Sequence, residues 1–325
     1  DHWRGLGIAL GVLNQYTSQR SPGDTTLIGF PLTDAGNAER LISLFGDQFR
    51  WLTDTGEWLA WDGKRWAEGS EDVVRRYVLK TARMLQSETI EHADEWHKEW
   101  EPRDRVMKHA IALESIKNVN GALASARYMV AVQAKRTDFD RNNDVLNLAN
   151  GTLDLRTFDL KHHAPKEQIT RLIPVRYDRE AKAERWEKFL RDVFLGNEAV
   201  IQYVQRAIGY SLTGSLAEQC FFMEHGAGEN GKSTFKDVLA ACFGEYAVKL
   251  DQEAILANES GRGGRATPEM VVLIGKRFAY VDEMEEGRMI DEAKIKALTG
   301  STMSTGRALY SGMQEWQNTA KLWFD

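Results

Sequence analysis

Between residues 226 and 234 the chain reads Gly-Ala-Gly-Glu-Asn-Gly-Lys-Ser-Thr, which satisfies the pattern GxxxxGK[ST] at every fixed position. No other stretch restricts the fold as strongly. Glycines at Gly226, Gly228 and Gly231 let the backbone curl until successive N–H groups converge on one point. The curl is useful where it joins a strand to a helix N-terminus, whose free N–H groups and dipole add to the same field. The flanks supply both. Cys220-Phe221-Phe222-Met223 is a short apolar strand candidate, and Phe235, Val238, Leu239, Ala240 and Phe243 fall on a helical pattern that stops near Gly244. The alternation of strand and helix patterns that follows predicts an α/β domain over residues 216–325.

The residue types in this loop suit a triphosphate. Backbone N–H groups from Gly226, Ala227, Gly228, Glu229, Asn230, Gly231, Lys232, Ser233 and Thr234 would face phosphate oxygens. Lys232 supplies a point charge to the β- and γ-phosphates, and Ser233 offers a hydroxyl to Mg2+. A second motif, Arg277-Phe278-Ala279-Tyr280-Val281-Asp282-Glu283, is an apolar strand ending in two carboxylates, 50 positions beyond Lys232. At the tip of a strand neighbouring the loop, Asp282 would hold the metal and Glu283 would polarise the attacking water. Glu285 and Glu286 read as a solvated acidic turn. Between the motifs, Arg262 and Arg265 lie in a Gly-rich loop that either faces phosphate or a neighbouring subunit, or is ordinary flexible surface.

Composition excludes several other classes. Of 325 residues, 42% are hydrophobic and 27 are glycine, a globular balance that rules out disordered, collagen-like and coiled-coil chains. The longest apolar runs, such as Val271-Val272-Leu273-Ile274, fall far short of the roughly 20 residues a membrane-spanning helix needs. Two cysteines, Cys220 and Cys242, with no metal-binding spacing, speak against a disulfide framework and for a reducing cytoplasm. A net charge of −6 argues against wholesale coating of nucleic acid and leaves room for a local basic groove. Asp1 at the start and the strand-like Lys321-Leu322-Trp323-Phe324-Asp325 at the end read as a piece of a longer polypeptide.

Upstream, residues 1–36 read as a linker or remnant, with Ser21-Pro22-Gly23-Asp24-Thr25 as punctuation. Residues 37–215 read as a mixed, mainly helical domain with a small β-meander. Asp34 or Asn37 would cap a first helix. Phe49–Leu52, Trp58–Trp61 and Lys64–Trp66, separated by turns at Asp54-Thr55-Gly56 and Asp62-Gly63, form the meander. Six of the ten tryptophans lie between Trp51 and Trp100, and they either fill a small core or stack on bases. Three helical patterns follow, carried by Val73 to Leu85, Val106 to Ile116, and Ala122 to Ala134. Strand patterns return over 145–148, 151–155 and 169–177, then helices over 183–195 and 198–212.

The runs GAGENGKST, KRFAYVDEMEEGRMIDEAKIKALTGSTMSTGRALY and KLWFD together resemble the superfamily-three helicase domain of phage and plasmid primase–helicases. NDVLNLANGTLDLRTFDLKHHAPKEQITRLIPVRYD resembles the domain that precedes the helicase in that family, shared with poxvirus primase–helicases. The likeness runs from about residue 37 to 325. It implies an AAA+-like P-loop ATPase that consumes ATP with Mg2+, assembles as a homo-oligomeric ring such as a hexamer, and translocates on single-stranded DNA during replication. It also implies a pore hairpin drawn from Lys294, Lys296, Leu298, Thr299, Gly300, Arg307 and Tyr310, with Lys294, Lys296 and Arg307 touching the DNA backbone. The chain departs from the pattern at Asp282, where the relatives often carry a small residue, and at Gly300-Ser301-Thr302, where they carry Gly-Gly-Asp. The sensor asparagine and arginine finger expected after Lys321–Asp325 lie outside this chain, which predicts nucleotide binding with weak turnover. Two other readings remain: a P-loop ATPase of another kind, such as a packaging or assembly motor, and a nucleotide-gated DNA-binding or interaction module that does not unwind.

Overall fold

The computed structural model describes residues 26–94, 96–226, 228, 230–256, 268–282, 288–307 and 313–325. Its helices are α1 (Asp34–Phe45), α2 (Glu71–Glu91), α3 (Arg103–Ala112), α4 (Ile116–Ala126), α5 (Glu184–Val193), α6 (Glu198–Leu212), α7 (Lys232–Phe243), α8 (Pro268–Val271) and α9 (Glu292–Gly300). The strands are β1 (Phe49–Leu52), β2 (Glu57–Trp61), β3 (Trp66–Ala67), β4 (Gln133–Ala134), β5 (Val145–Leu148), β6 (Gly151–Asp154) and β7 (Leu160–Lys161). They continue with β8 (Phe222–Met223), β9 (Ala247–Lys249), β10 (Phe278–Val281), β11 (Met303–Gly306), β12 (Gln314–Gln317) and β13 (Lys321–Phe324). This mixed α/β chain packs as two compact units, residues 1–51 with 69–133 and residues 52–68 with 134–325.

The first unit is helical. Thr33, in an extended conformation, caps α1 by accepting from the Gly36 N–H at 3.1 Å. Asp34 sits in the first turn instead, where its charge complements the helix dipole. Asn37 is buried and bonded to His109 Nε2 at 2.8 Å. Ser115 and Asn118 split the second helical pattern in two. The Ser115 hydroxyl accepts from the Asn118 N–H to open α4, and the Asn118 side chain donates to the Ala112 carbonyl at 2.8 Å to close α3. The core includes Leu27, Ile28, Leu85, Val106 and Ala110. Helix α4 passes close to Asp34 at Gly121, where a Cβ would come within 2.5 Å of the Asp34 carboxylate and push that side chain aside. Within this core the Arg40 guanidinium is fully buried and donates to the carbonyls of Leu27 and Pro31, each at 2.8 Å, and of Phe30. Burial lowers its pKa to about 10.

The second unit is built on a four-stranded, wholly parallel sheet of order β8-β13-β10-β9. Every residue of β10 and β13 is buried, as expected where both faces of a parallel sheet are covered. Phe278, Tyr280 and Trp323 face α5, α6 and α7, packing with Leu190, Ile201, Phe235, Leu239 and Phe243. Ala279, Val281, Leu322 and Phe324 face the other way, against Ile255, Leu273, Ile295 and Leu298. Segment 134–215 packs with this unit through buried polar links. Arg277 donates to the carbonyls of Leu212 at 2.6 Å and Asn142 at 3.3 Å, and its guanidinium lies over the Tyr246 ring.

The strand pattern over 169–177 becomes irregular chain with a single parallel bridge, Leu148 to Ile173. Ile173 donates to the Asn147 carbonyl at 2.8 Å and the Val175 carbonyl accepts from the Ala149 N–H at 3.0 Å, so the chain follows β5 without becoming a regular strand. The third helical pattern likewise ends at Ala126. Of the six clustered tryptophans, Trp58 and Trp66 are buried and the other four partly so, which favours the core-filling reading. Among the described residues no helix is long and apolar enough to cross a membrane.

Candidate functional site

Three neighbouring strands of the parallel sheet each run straight into an acid: Met223 into Glu224, Phe324 into Asp325, and Val281 into Asp282. The register pairs Val281 with Phe324 and Phe324 with Met223, so the three carboxylates follow aligned positions at one edge of the sheet. The Glu224 N–H extends the ladder by donating to the Phe324 carbonyl at 2.8 Å. The glycine loop leaves from this edge, with φ of 90° at Gly228 and 88° at Gly231, values that a residue with a Cβ rarely adopts. At Gly226 a Cβ would meet the side-chain amide of Asn230. Lys232 is the first residue of α7, and Ser233 and Thr234 are exposed in its first turn. Helix α5 backs the loop, since a Cβ at Gly231 would lie 3.1 Å from Val193 and 3.3 Å from Phe189.

The strand that carries Asp282 is not the loop strand's neighbour. β13 lies between them, and its Asp325 joins the site. Lys232 Nζ donates to the Gly226 carbonyl at 3.3 Å and lies 3.9 Å from Asp325 Oδ2. One turn further along α7, Lys236 is 1% exposed. Its ammonium lies 2.5 Å from Asp325 Oδ1 and 2.9 Å from Asp282 Oδ1, and donates to the Val281 carbonyl at 3.3 Å. Lys249, at the end of β9, reaches Asp282 Oδ2 at 2.8 Å.

These contacts set the protonation states. Burial alone would lower the Lys236 pKa, but the carboxylates of Asp325 and Asp282 raise it. Burial opposes ionisation of Asp282, and the ammonium groups of Lys249 and Lys236 outweigh it, so its pKa lies below the usual value. Glu224 is different. Neither of its buried oxygens has a hydrogen-bond partner among the described residues. Burial pushes its pKa up to about 7, against the lowering pull of the Lys236 and Lys232 ammonium groups, which the Asp325 and Asp282 charges offset only in part.

The structure therefore brings Gly226, Gly228, Asn230, Gly231, Lys232, Ser233, Thr234 and Asp282 to one edge of one unit. Ala227, Glu229 and Glu283 lie outside the described residues, as do Arg262, Arg265, Glu285, Glu286 and Tyr310. The sequence reading missed Glu224, Lys236, Lys249 and Asp325. A signal existed in the three apolar runs that each end in an acid, though only strand alignment reveals their adjacency. Two donors here suit a hard divalent cation, the exposed Ser233 hydroxyl and the Asp282 carboxylate, which already draws two ammonium groups. Among the described residues no group of three or more His, Cys, Asp or Glu side chains forms a metal cage.

The expected DNA-contacting set divides. Lys294 and Lys296 belong to helix α9 rather than to a hairpin, because Asp291 caps a helix there by accepting from the Lys294 N–H. Lys294 Nζ is committed to the carbonyls of Glu253 and Leu256, at 3.2 and 2.8 Å. Lys296 is exposed, 3.6 Å from Glu292. Arg307 is exposed beside β11, which pairs antiparallel with β12. A cleft of about 440 Å³ lies elsewhere, by the residues leading into β9 and β10, and is lined by Arg136, Asp140, Tyr246, Arg277, Met303 and Trp316 among others.

Residues 38–195 match the family described as D5 N terminal like. A protein of Invertebrate iridescent virus 6 named as a helicase, 184R, is 25% identical over 53% of this chain and 18% of its own length. One of Acanthamoeba polyphaga mimivirus named as a helicase, L207/L206, is 22% identical over 78% of this chain and 28% of its own. Together these matches support a phage or viral primase–helicase family for the chain. A further relative in that family, C962R of African swine fever virus, is named as a primase and is 22% identical over 62% of this chain and 22% of its own. The chain thus spans less than a third of the relatives it matches. Among solved structures, the apo NrS-1 C-terminal region aligns over 89% of this chain and 56% of that one, at 9% identity and a TM-score of 0.49.

Proposed function

We propose that the chain is the ATP-hydrolysing helicase portion of a primase–helicase, which acts in DNA replication on single-stranded DNA as a homo-oligomeric ring such as a hexamer. One observation carries this reading: a glycine loop opening α7 at Lys232 lies at the sheet edge where Asp282 follows its strand. The curled loop from Gly226 to Thr234 presents N–H groups toward polyphosphate, and the dipole of α7 reinforces them. Lys232 exchanges its contacts with Gly226 and Asp325 for β- and γ-phosphate oxygens. Ser233 and Asp282 are the residues that would hold Mg2+, which when bound neutralises phosphate charge. Glu283 takes the role of orienting and deprotonating the attacking water. Exposed Arg307 and Lys296 offer backbone charge contacts without sequence preference.

The test is direct. Lys232→Ala is expected to abolish binding of a fluorescent ATP analogue, and unchanged affinity would remove Lys232 as a phosphate ligand. Glu283→Gln should retain binding and lose turnover. Stimulation of hydrolysis by single-stranded DNA separates a helicase motor from an assembly switch, which binds nucleotide with little turnover.

A further inference from the structure

The two ammonium groups on Asp282 are not equivalent. Lys236 is sealed inside the unit, donating to Asp325 Oδ1 and the Val281 carbonyl and ion-paired with Asp282 Oδ1 at 2.9 Å. Lys249 is 61% exposed and meets Asp282 Oδ2 from β9, at the end of the strand order. Its backbone is fixed opposite Tyr280 in the β9–β10 ladder, so only its flexible four-carbon stem carries the ammonium to the carboxylate. Among the described residues, Asp282 is its one ion-pair partner. Asp237, exposed on α7, adds a second negative charge in its vicinity.

A divalent cation and an ammonium compete for the same carboxylate lone pairs. Lys236 cannot leave without abandoning the buried Asp325 and the half-buried Asp282, whereas Lys249 can swing into water or toward Asp237 at little cost. From this asymmetry we propose that Lys249 is a displaceable occupant of the metal-facing oxygen of Asp282, so that its departure and magnesium binding are one exchange. The proposal rests on the reading of the loop as a Mg2+–nucleotide site. Lys236 then keeps Oδ1 engaged and the carboxylate oriented throughout, and Lys249 sets how much magnesium the site requires.

The experiment is a magnesium titration of fluorescent ATP-analogue binding to the wild-type chain, Lys249→Met and Lys249→Arg, with EDTA controls and thermal unfolding to verify that each variant is folded. Lys249→Met should lower the half-saturating magnesium concentration about two- to fivefold, the range expected for losing one exposed ion pair. Its affinity for the analogue in EDTA should stay within about twofold of wild type, and Lys249→Arg should restore the wild-type magnesium requirement. An unchanged or raised requirement in Lys249→Met overturns the exchange. Weakened binding both with and without magnesium also overturns it, because Lys249 then touches the nucleotide itself. Failure of the wild-type chain to bind the analogue under any condition rejects the underlying nucleotide-site reading, a result separable from the other two.

Discussion

Both units bury cations, and two of them, Arg40 in the first and Lys236 in the second, are neutralised differently. In the first, Arg40 donates to the carbonyl oxygens of Leu27, Phe30 and Pro31 and to the Asn37 side-chain oxygen, all fixed dipoles with no net charge, with the Glu39 and Glu88 charges acting from nearby. In the second, Lys236 is surrounded by the ionised carboxylates of Asp282 and Asp325 as well as one carbonyl. Carbonyls of a folded loop cannot move or change charge, so Arg40 is a structural pin. Carboxylates at strand ends can change partners and protonation state, so the same device becomes a site able to receive ligands. Buried charge alone does not mark function. What distinguishes the two is whether the compensating groups can be exchanged.

The largest expected effect would break the structural half of that contrast. Arg40→Met leaves three inward carbonyls without a donor, which should cost about 3–4 kcal/mol in urea unfolding. A loss below 1 kcal/mol would mean that water replaces the guanidinium. Next, Lys236→Met leaves two carboxylates facing each other and should cost about 3 kcal/mol at neutral pH. A negligible cost would assign Lys236 to packing alone.

The smallest effect sharpens the contrast by sign. The Glu224 carboxyl lies at about 7 in the folded chain, against an ordinary 4.5, because burial disfavours its ionised form by more than the nearby Lys236 and Lys232 favour it. A raised folded value means that stability is full below about pH 4.5 and declines as pH rises through 7. Glu224→Gln should therefore match wild type near pH 4 and exceed it by about 1–2 kcal/mol at pH 8, allowing for screening of a partly exposed group. Equal stability at both pH values would show that Glu224 stays ionised and paired in solution.

Local chemistry made much of this legible in advance. Helices α5, α6 and α7 follow from apolar spacing, the β2–β3 turn from Asp62-Gly63, and the loop from glycines that only a left-handed backbone requires. Where local signals competed, the sequence misled. The 169–177 run is apolar enough for a strand, yet it follows β5 through only a single bridge at Ile173. Lys294 and Lys296 looked like hairpin charges until the Asp291 cap set them on α9.

The sequence by itself determined that a phosphate-type loop joins a strand to a helix, and that an apolar strand ends in Asp282, because short-range spacing encodes both. Only the tertiary structure decided that β13 lies between those strands, that Glu224, Asp325 and Asp282 align, and that Lys236 and Lys249 hold the last of them. Strand order in a parallel sheet is set by crossover packing between distant segments. No local pattern records it, and every charge contact at the site depends on it.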